Sequence, residues 1–132
     1  MKVELRVMLG IIVTYVIVAF VPSNVFAGSN IKHATVSYYG GGGPNECGRS
    51  RPCHGSLTAC GQVFNMYKVS VANKSLPCGT KVQFCRDDKC LVARVTDRGP
   101  FVLGRDYDLS WQAAKQLGIS GVSTIEVKVI GM

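Results

Sequence analysis

Six cysteines, all lying between Cys47 and Cys90, constrain this chain more than any other feature. Such a set in a chain of 132 residues serves either as a disulfide framework or for metal ligation, and the compartment decides between them. The N-terminus points outward from the cytoplasm. Lys2 and Arg6 precede a 15-residue apolar run from Val7 to Val21, followed by Pro22 and the small-residue site Val25-Phe26-Ala27. Residues 1–27 therefore read as an export signal, with 28–33 a short lead-in and 34–132 the folded domain. An uncleaved anchor is the alternative, but the run is shorter than the about 20 residues that cross a bilayer. No cysteine directly follows the run, so the product is not expected to be a lipoprotein. The expected location is secreted or periplasmic, within the cell envelope, with no membrane anchor after cleavage.

In an oxidising compartment the cysteines are expected to staple the domain. Sequence alone does not select one pairing; close spacing favours Cys47 with Cys53 and Cys85 with Cys90, and Cys60 is then assigned to Cys78. A zinc site built from His33 or His54 with thiolates is the rival. The Cys-x2-Cys knuckle of structural zinc sites is absent, so neither metal nor cofactor is expected.

Signal removal takes Lys2, Glu4 and Arg6 from a formal charge of +7, and the remaining basic residues are scattered from Lys32 to Lys128. Without a dense basic run, nucleic acid is not the expected partner. A mild positive field suits either simple solubility or retention near anionic wall polymers.

The rest reads as strand and loop. His33–Tyr39 is β-branched and aromatic, and Gly40 to Gly43 with Pro44 stops it. Tyr67–Ala72, Thr80–Cys85, Leu91–Asp97 and Ser123–Ile130 follow as strands, with Ile125, Val127 and Val129 on one face of the last. Short spacings between turns favour a small closed barrel. One helix is expected over Trp111–Leu117, N-capped by Ser110, stopped by Gly118, and packing Ala113, Ala114 and Leu117 on the barrel.

The segment Leu91–Phe101 carries the chemistry. A β-branched strand ends in Asp97, and Gly99-Pro100 then turns the chain, leaving the carboxylate at a rim. Asp108 ends a second short segment ahead of the helix. If the two strand ends meet, they form a carboxylate pair suited to acid and base work on a glycosidic bond. An Asp before a turn or helix also serves as an ordinary cap.

Four motifs now bear on family. They are Thr58-Ala59-Cys60-Gly61-Gln62-Val63-Phe64-Asn65-Met66-Tyr67, Ser75-Leu76-Pro77-Cys78-Gly79-Thr80-Lys81-Val82, Val95-Thr96-Asp97-Arg98-Gly99-Pro100-Phe101 and Gly104-Arg105-Asp106-Tyr107-Asp108-Leu109-Ser110. In this order they resemble the rare lipoprotein A family, over roughly residues 34–130. The resemblance implies a mainly-β fold, a six-stranded double-psi β-barrel with one short helix, acting on peptidoglycan glycan strands or a related polysaccharide. Some members are lytic transglycosylases, which cleave the muramic acid to glucosamine linkage and leave an anhydro-sugar. The Thr-Ala-Cys-Gly and Asp-Leu-Ser elements are also similar to barwin and expansin domains, which bind or loosen wall polysaccharide without hydrolysis.

Two positions depart from the catalytic pattern: Gln62 stands where those members carry Glu, and Asn73 where they carry His. Gln62 can hydrogen-bond a sugar but exchanges no proton at neutral pH. Transglycosylase chemistry can still run on one carboxyl group, and Asp97 matches the family's catalytic Asp. Asp108 matches the Asp of the expansin element, so Asp97 and Asp108 are the expected catalytic pair. Tyr38 and Tyr39 are expected to stack on sugar faces, Ser37, Gln62 and Asn73 to bond hydroxyl or acetamido groups, and Arg98 to meet a carboxylate. The expected protein is a monomeric wall enzyme, with an expansin-like binding module as the alternative reading and a barwin-type defence protein behind both.

Overall fold

The computed structural model describes residues 30–41 and 53–132. The expected signal, 1–27, and Cys47 lie outside the described residues. The elements run β1 (Lys32–Tyr39), β2 (Val71–Asn73), β3 (Lys81–Arg86), β4 (Lys89–Asp97), β5 (Tyr107–Ser110), α1 (Trp111–Gln116) and β6 (Ser123–Gly131).

The strands close into a barrel in the order β1-β5-β2-β4-β3-β6. β1 runs parallel to β5 and β2 parallel to β4, while every other neighbouring pair is antiparallel. Parallel neighbours cannot be joined by a hairpin, so the chain must cross over between them. It does so through β3 between β2 and β4, and through β2, β3 and β4 between β1 and β5. This is the double-psi barrel expected from the sequence, with its one short helix.

Alternation fills the interior. Val36, Val82, Phe84, Ala93, Val95, Leu109, Ile125 and Val127 point inward and form one cluster with Ala113, Ala114 and Leu117 of the helix region. Each large side chain so buried contributes about 1.5–3 kcal/mol. The helix forms where expected: Ser110 Oγ accepts from Ala113 N, and Gly118 leaves it with φ +66°. Arg86 donates to the carbonyls of Leu117 and Gly118, tying the helix C-terminus to β3 and placing a cation against its negative end.

Three boundaries differ from the sequence reading. β1 begins at Lys32, which already pairs with Val127, so the barrel starts inside the expected lead-in. β2 is only Val71–Asn73, because Asn65 Oδ1 accepts from Tyr67 N at 2.9 Å and Lys68 N reaches Asn65 O at 3.1 Å, turning the chain where a strand was expected. Val129 is exposed, since it lies at the end of β6 beside the register shift against β3, beyond the interior that holds Ile125 and Val127.

Cys60–Cys78 and Cys85–Cys90 are both bonded as expected, and Cys53 is disulfide-bonded while Cys47, assigned to it, lies outside the described residues. A second, smaller cluster of Tyr39, Phe64, Met66 and Ala72, with Trp111 against it, stands apart from the barrel interior. It forms the floor of the site.

Candidate active site

The site begins with a slip in register. Val71 on β2 pairs with Val95 on β4, but the next residue, Ala72, pairs with Asp97, so β4 advances two residues for one on β2. An irregularity of this kind re-aims the side chain that follows it. Simple alternation would keep Asp97 on the inward face with Ala93 and Val95; the shift sets it level with Ala72 instead. Ala72 also pairs with Asp108 on β5, and Asp108 with Ser37 on β1. Ser37, Asp108, Ala72 and Asp97 thus form one row across four strands. The two carboxylates are separated at the backbone by two strand spacings, about 10 Å, with the small Ala72 between them.

Asp97 is 6% exposed. Its Oδ1 accepts from Ala59 N at 2.8 Å and from Arg98 N at 2.9 Å. Among the described residues no hydrogen bond falls on its Oδ2. One oxygen is therefore anchored and the other is available. The Ala59 donor comes from a tight turn in which Thr58 N bonds Gln62 O, Gly61 N bonds Thr58 O and Thr58 Oγ1 accepts from Gln62 N. Cys60 N bonds Thr96 O, and the Cys60–Cys78 disulfide ties the turn to the loop after β2.

Asp108 accepts from Ser37 Oγ at 3.0 Å. Burial pushes its carboxyl above the ordinary carboxylate value; the Ser37 bond and the Arg105 charge oppose this, and the Asp97 charge adds to it least of all. That small mutual effect fits two carboxylates held apart, each with its own surroundings, and not a dyad sharing one proton.

The expected ligand-binding residues divide. Ser37, Asp97 and Asp108 come together in the row. Tyr38 is half-buried at the edge of the barrel core and also lines an open cleft with Ser37, Gly41 and Arg105. Gln62 is exposed on the Asp97-anchoring turn. The other three have structural work. Tyr39 is 1% exposed, with its ring 4.7 Å from that of Phe64, so neither face is open to a sugar. Asn73 accepts from Ser75 N at 3.0 Å and Leu76 N at 2.8 Å and donates to Asp106 O at 3.1 Å. Its polar atoms build the turn after β2 instead of meeting a ligand. Arg98 donates to Leu76 O at 2.7 Å and Asn73 O at 3.2 Å. Its guanidinium pins that same turn through two backbone carbonyls.

The sequence reading passed over two features. Backbone donation from Ala59 leaves no side-chain signature. The loop after Pro100 exposes Phe101 by 84% and Leu103 by 98%, and Leu57 and Val63, paired across the base of the Ala59 turn, are exposed as well. Three consecutive apolar residues after a Gly-Pro turn were the available signal for the first of these surfaces. Among the described residues no cluster of His, Cys, Asp and Glu is placed to hold a metal ion.

Comparison with known proteins agrees with this geometry. The sequence profile of the family described as lytic transglycolase matches residues 32–129. Endolytic peptidoglycan transglycosylase RlpA of Vibrio cholerae is 41% identical over 81 residues, 58% of this chain and 31% of that protein. The probable endolytic peptidoglycan transglycosylase RlpA of Synechocystis is 38% identical over 104 residues, 76% of this chain and 29% of that protein. The chain thus spans under a third of the length of either relative. Among solved structures, Streptomyces papain inhibitor superposes with a TM-score of 0.55 at 19% identity, covering 76% of this chain and 94% of that one, a likeness of fold alone. With the barrel, the motif order and the profile match in agreement over the same residues, this chain belongs to the lytic transglycolase family of rare lipoprotein A-like double-psi β-barrels.

Proposed function

We propose that this protein cleaves peptidoglycan glycan strands in the cell envelope as an endolytic lytic transglycosylase, with Asp97 as both acid and base. The observation that carries the reading is the state of the Asp97 carboxyl group: Oδ1 held by two backbone N–H groups, Oδ2 open, at the rim of the barrel. The Asp97 carboxylic acid gives its proton to the glycosidic oxygen as the bond from that oxygen to C1 breaks. The resulting carboxylate takes the proton of the 6-hydroxyl on the same muramic acid residue, whose oxygen closes on C1. The product is a 1,6-anhydro sugar, no water enters, and Asp97 ends in the form in which it began.

One carboxyl therefore suffices, and Gln62 in place of the family Glu does not stop the cycle. Asp108 lies too far along the row to share a proton with Asp97. It is assigned with Ser37 to holding the strand, and the exposed apolar residues Phe101, Val102 and Leu103 lie next to Asp97 in the chain, where the less polar faces of a glycan can rest. Export by the N-terminal segment, action in the envelope and a monomeric state complete the proposal.

Gln62 favours a second reading, an expansin-like module that grips glycan without cutting it. Purified sacculi, intact and stripped of stem peptides, digested by the mature protein and by Asp97→Asn, separate the two. Anhydro-ended fragments from the wild type, reduced at least a hundredfold in the variant, are the expected result; acid–base groups contribute about 10²–10⁴-fold. Sedimentation of both proteins with the glycan and no released fragments would establish the second reading.

A further inference from the structure

Four arginines lie among the described residues, and three of them are tied down by their side chains. Arg86 donates to the carbonyls of Leu117 and Gly118, Arg94 to Gly79 O at 3.2 Å, and Arg98 to Leu76 O and Asn73 O. Arg105 differs. Its backbone N donates to Val102 O at 3.3 Å and its backbone O accepts from Lys74 Nζ at 3.0 Å, but no hydrogen bond or ion pair engages its guanidinium among the described residues. The residue is nonetheless half-buried, so a set of fixed donors is held at the surface with no protein acceptor.

Its position says what can meet them. Arg105 lines an open cleft of about 280 Å³ with Ser37, Tyr38, Gly41, Gly121 and Val122. The cleft lies at the Ser37 end of the row, three strand spacings or about 14 Å from Asp97 at the backbone. A sugar held there is not the one whose bond breaks at Asp97 but one further along the same strand. Glycine backbone borders the space: a Cβ on Gly121 would meet nothing, and one on Gly41 would lie 3.1 Å from Trp111 Cδ1 and 3.2 Å from Tyr38 Cε2. A polymer can approach such a wall closely. Two acids flank Arg105 and neither pairs with it. Asp106 Oδ2 accepts from Thr35 N at 2.8 Å, and Asp108 accepts from Ser37 Oγ at 3.0 Å. The Arg105 charge still acts on the Asp108 carboxyl, in keeping with a guanidinium on the same side of the barrel as the row.

We propose that Arg105 is a substrate-binding residue, its guanidinium taking a carboxylate carried by the glycan strand in the cleft beyond Ser37. The inference rests on the peptidoglycan reading above and deepens it by naming the charged group that the site selects. A guanidinium meets a carboxylate through two parallel charge-assisted hydrogen bonds, a match that a neutral hydroxyl or acetamido group does not offer. Peptidoglycan presents carboxylates in two places: on the lactyl group of muramic acid once the stem peptide has been removed, and on the stem peptide while it is attached. Because the contact is remote from the bond that breaks, it holds substrate and transition state alike. Its loss therefore falls on KM and not on kcat.

The test uses one set of end-labelled glycan strands in three forms: stripped strands with free lactyl carboxylates, the same strands with those carboxyls converted to neutral methylamides, and strands that keep their stem peptides. Binding is followed by fluorescence anisotropy in the Asp97→Asn background, so that nothing is cut, with Arg105 intact, Arg105→Lys or Arg105→Met. With Arg105 intact, a carboxylate-bearing form should bind about tenfold more tightly than the methylamide form. Arg105→Met should abolish that preference and Arg105→Lys keep part of it, with binding of the methylamide form and Tm unchanged. Preference for stripped strands locates the carboxylate on the lactyl group, preference for intact strands locates it on the stem peptide, and either supports the proposal. Equal binding of all three forms, a preference that survives Arg105→Met, or an equal loss across all three forms overturns it. In otherwise wild-type protein, Arg105→Met should raise KM on the preferred strands about tenfold with kcat unchanged; a fall in kcat at constant KM also overturns the proposal. The binding arms need no turnover, so a carboxylate preference that depends on Arg105 without any released fragments removes only the transglycosylase reading.

Discussion

Strand β4 has two unlike ends. At its start the hairpin with β3 is regular: six successive pairs, Lys81↔Arg94 through Arg86↔Lys89, hold one register, and Cys85 faces Cys90 across it under a disulfide. At its finish the register against β2 slips, Asp97 is turned to the outer row, and its Oδ1 is anchored by Ala59 N from a separate turn and by Arg98 N. The first end satisfies its polar groups by repetition. The second satisfies them by individually placed donors and leaves one carboxylate oxygen open. The contrast shows where regularity has been given up, and the functional reading rests on that place.

Breaking each disulfide tests the contrast most strongly. Cys60 and Cys78 are 18 residues apart and tie the Ala59 turn to the loop after β2, so replacing both with Ser should lower stability by about 3 kcal/mol. It should also lower activity further than the folded fraction accounts for, because the Asp97 anchor loosens. Cys85 and Cys90 are 5 apart, and the same double replacement there should cost about 2 kcal/mol and leave activity per folded molecule unchanged. Chemical denaturation and fragment release, measured on the same samples, give both quantities. Equal losses of specific activity would mean that the two ends of β4 are not functionally distinct.

The next effect is smaller and local. Gly99 follows Arg98 with φ +122°, a conformation that side chains rarely adopt. Gly99→Ala should therefore cost about 1–3 kcal/mol, read as a fall in Tm, and should reduce fragment release by disturbing the Arg98 N–H that anchors Asp97. On the regular stretch, Val92→Thr alters an exposed strand residue and should stay within about 0.5 kcal/mol.

The same contrast explains what could be read from the sequence. Regular structure was legible: alternation gave the core of β3, β4 and β6, and Ser110 and Gly118 gave the helix ends, because those signals are local and periodic. Asp97 was legible as a rim carboxylate from the Gly-Pro turn that follows it. What escaped was non-local. Asn73 and Arg98 look like ligand-binding groups in isolation, and only the fold brings the Asp106 and Leu76 carbonyls to them. Ala59 contributes through its backbone, and the shift that turns Asp97 outward depends on pairing with a strand whose nearest residue is more than 20 positions away in the chain.

The smallest effect concerns Asp108 and the dependence of stability on pH. Burial raises its carboxyl above the ordinary carboxylate value, with Ser37 and Arg105 opposing and Asp97 adding. The folded state therefore holds this proton more tightly than the unfolded chain does. The associated stability is fully present below the unfolded value and is lost as pH rises through the raised folded value. Asp108→Asn removes the titrating group while keeping an oxygen to accept from Ser37 Oγ. Its Tm relative to wild type should accordingly rise between pH 3 and pH 7. Ser37→Ala should steepen the wild-type loss over that interval, because a donor that favours the charged form has gone. Asp97→Asn should shallow it, since the neighbouring charge has gone. Thermal melts of the four proteins at both pH values provide the check, and a Tm difference for Asp108→Asn that falls with pH would place Asp108 in a solvated, charge-stabilising setting much like the regular surface of the barrel.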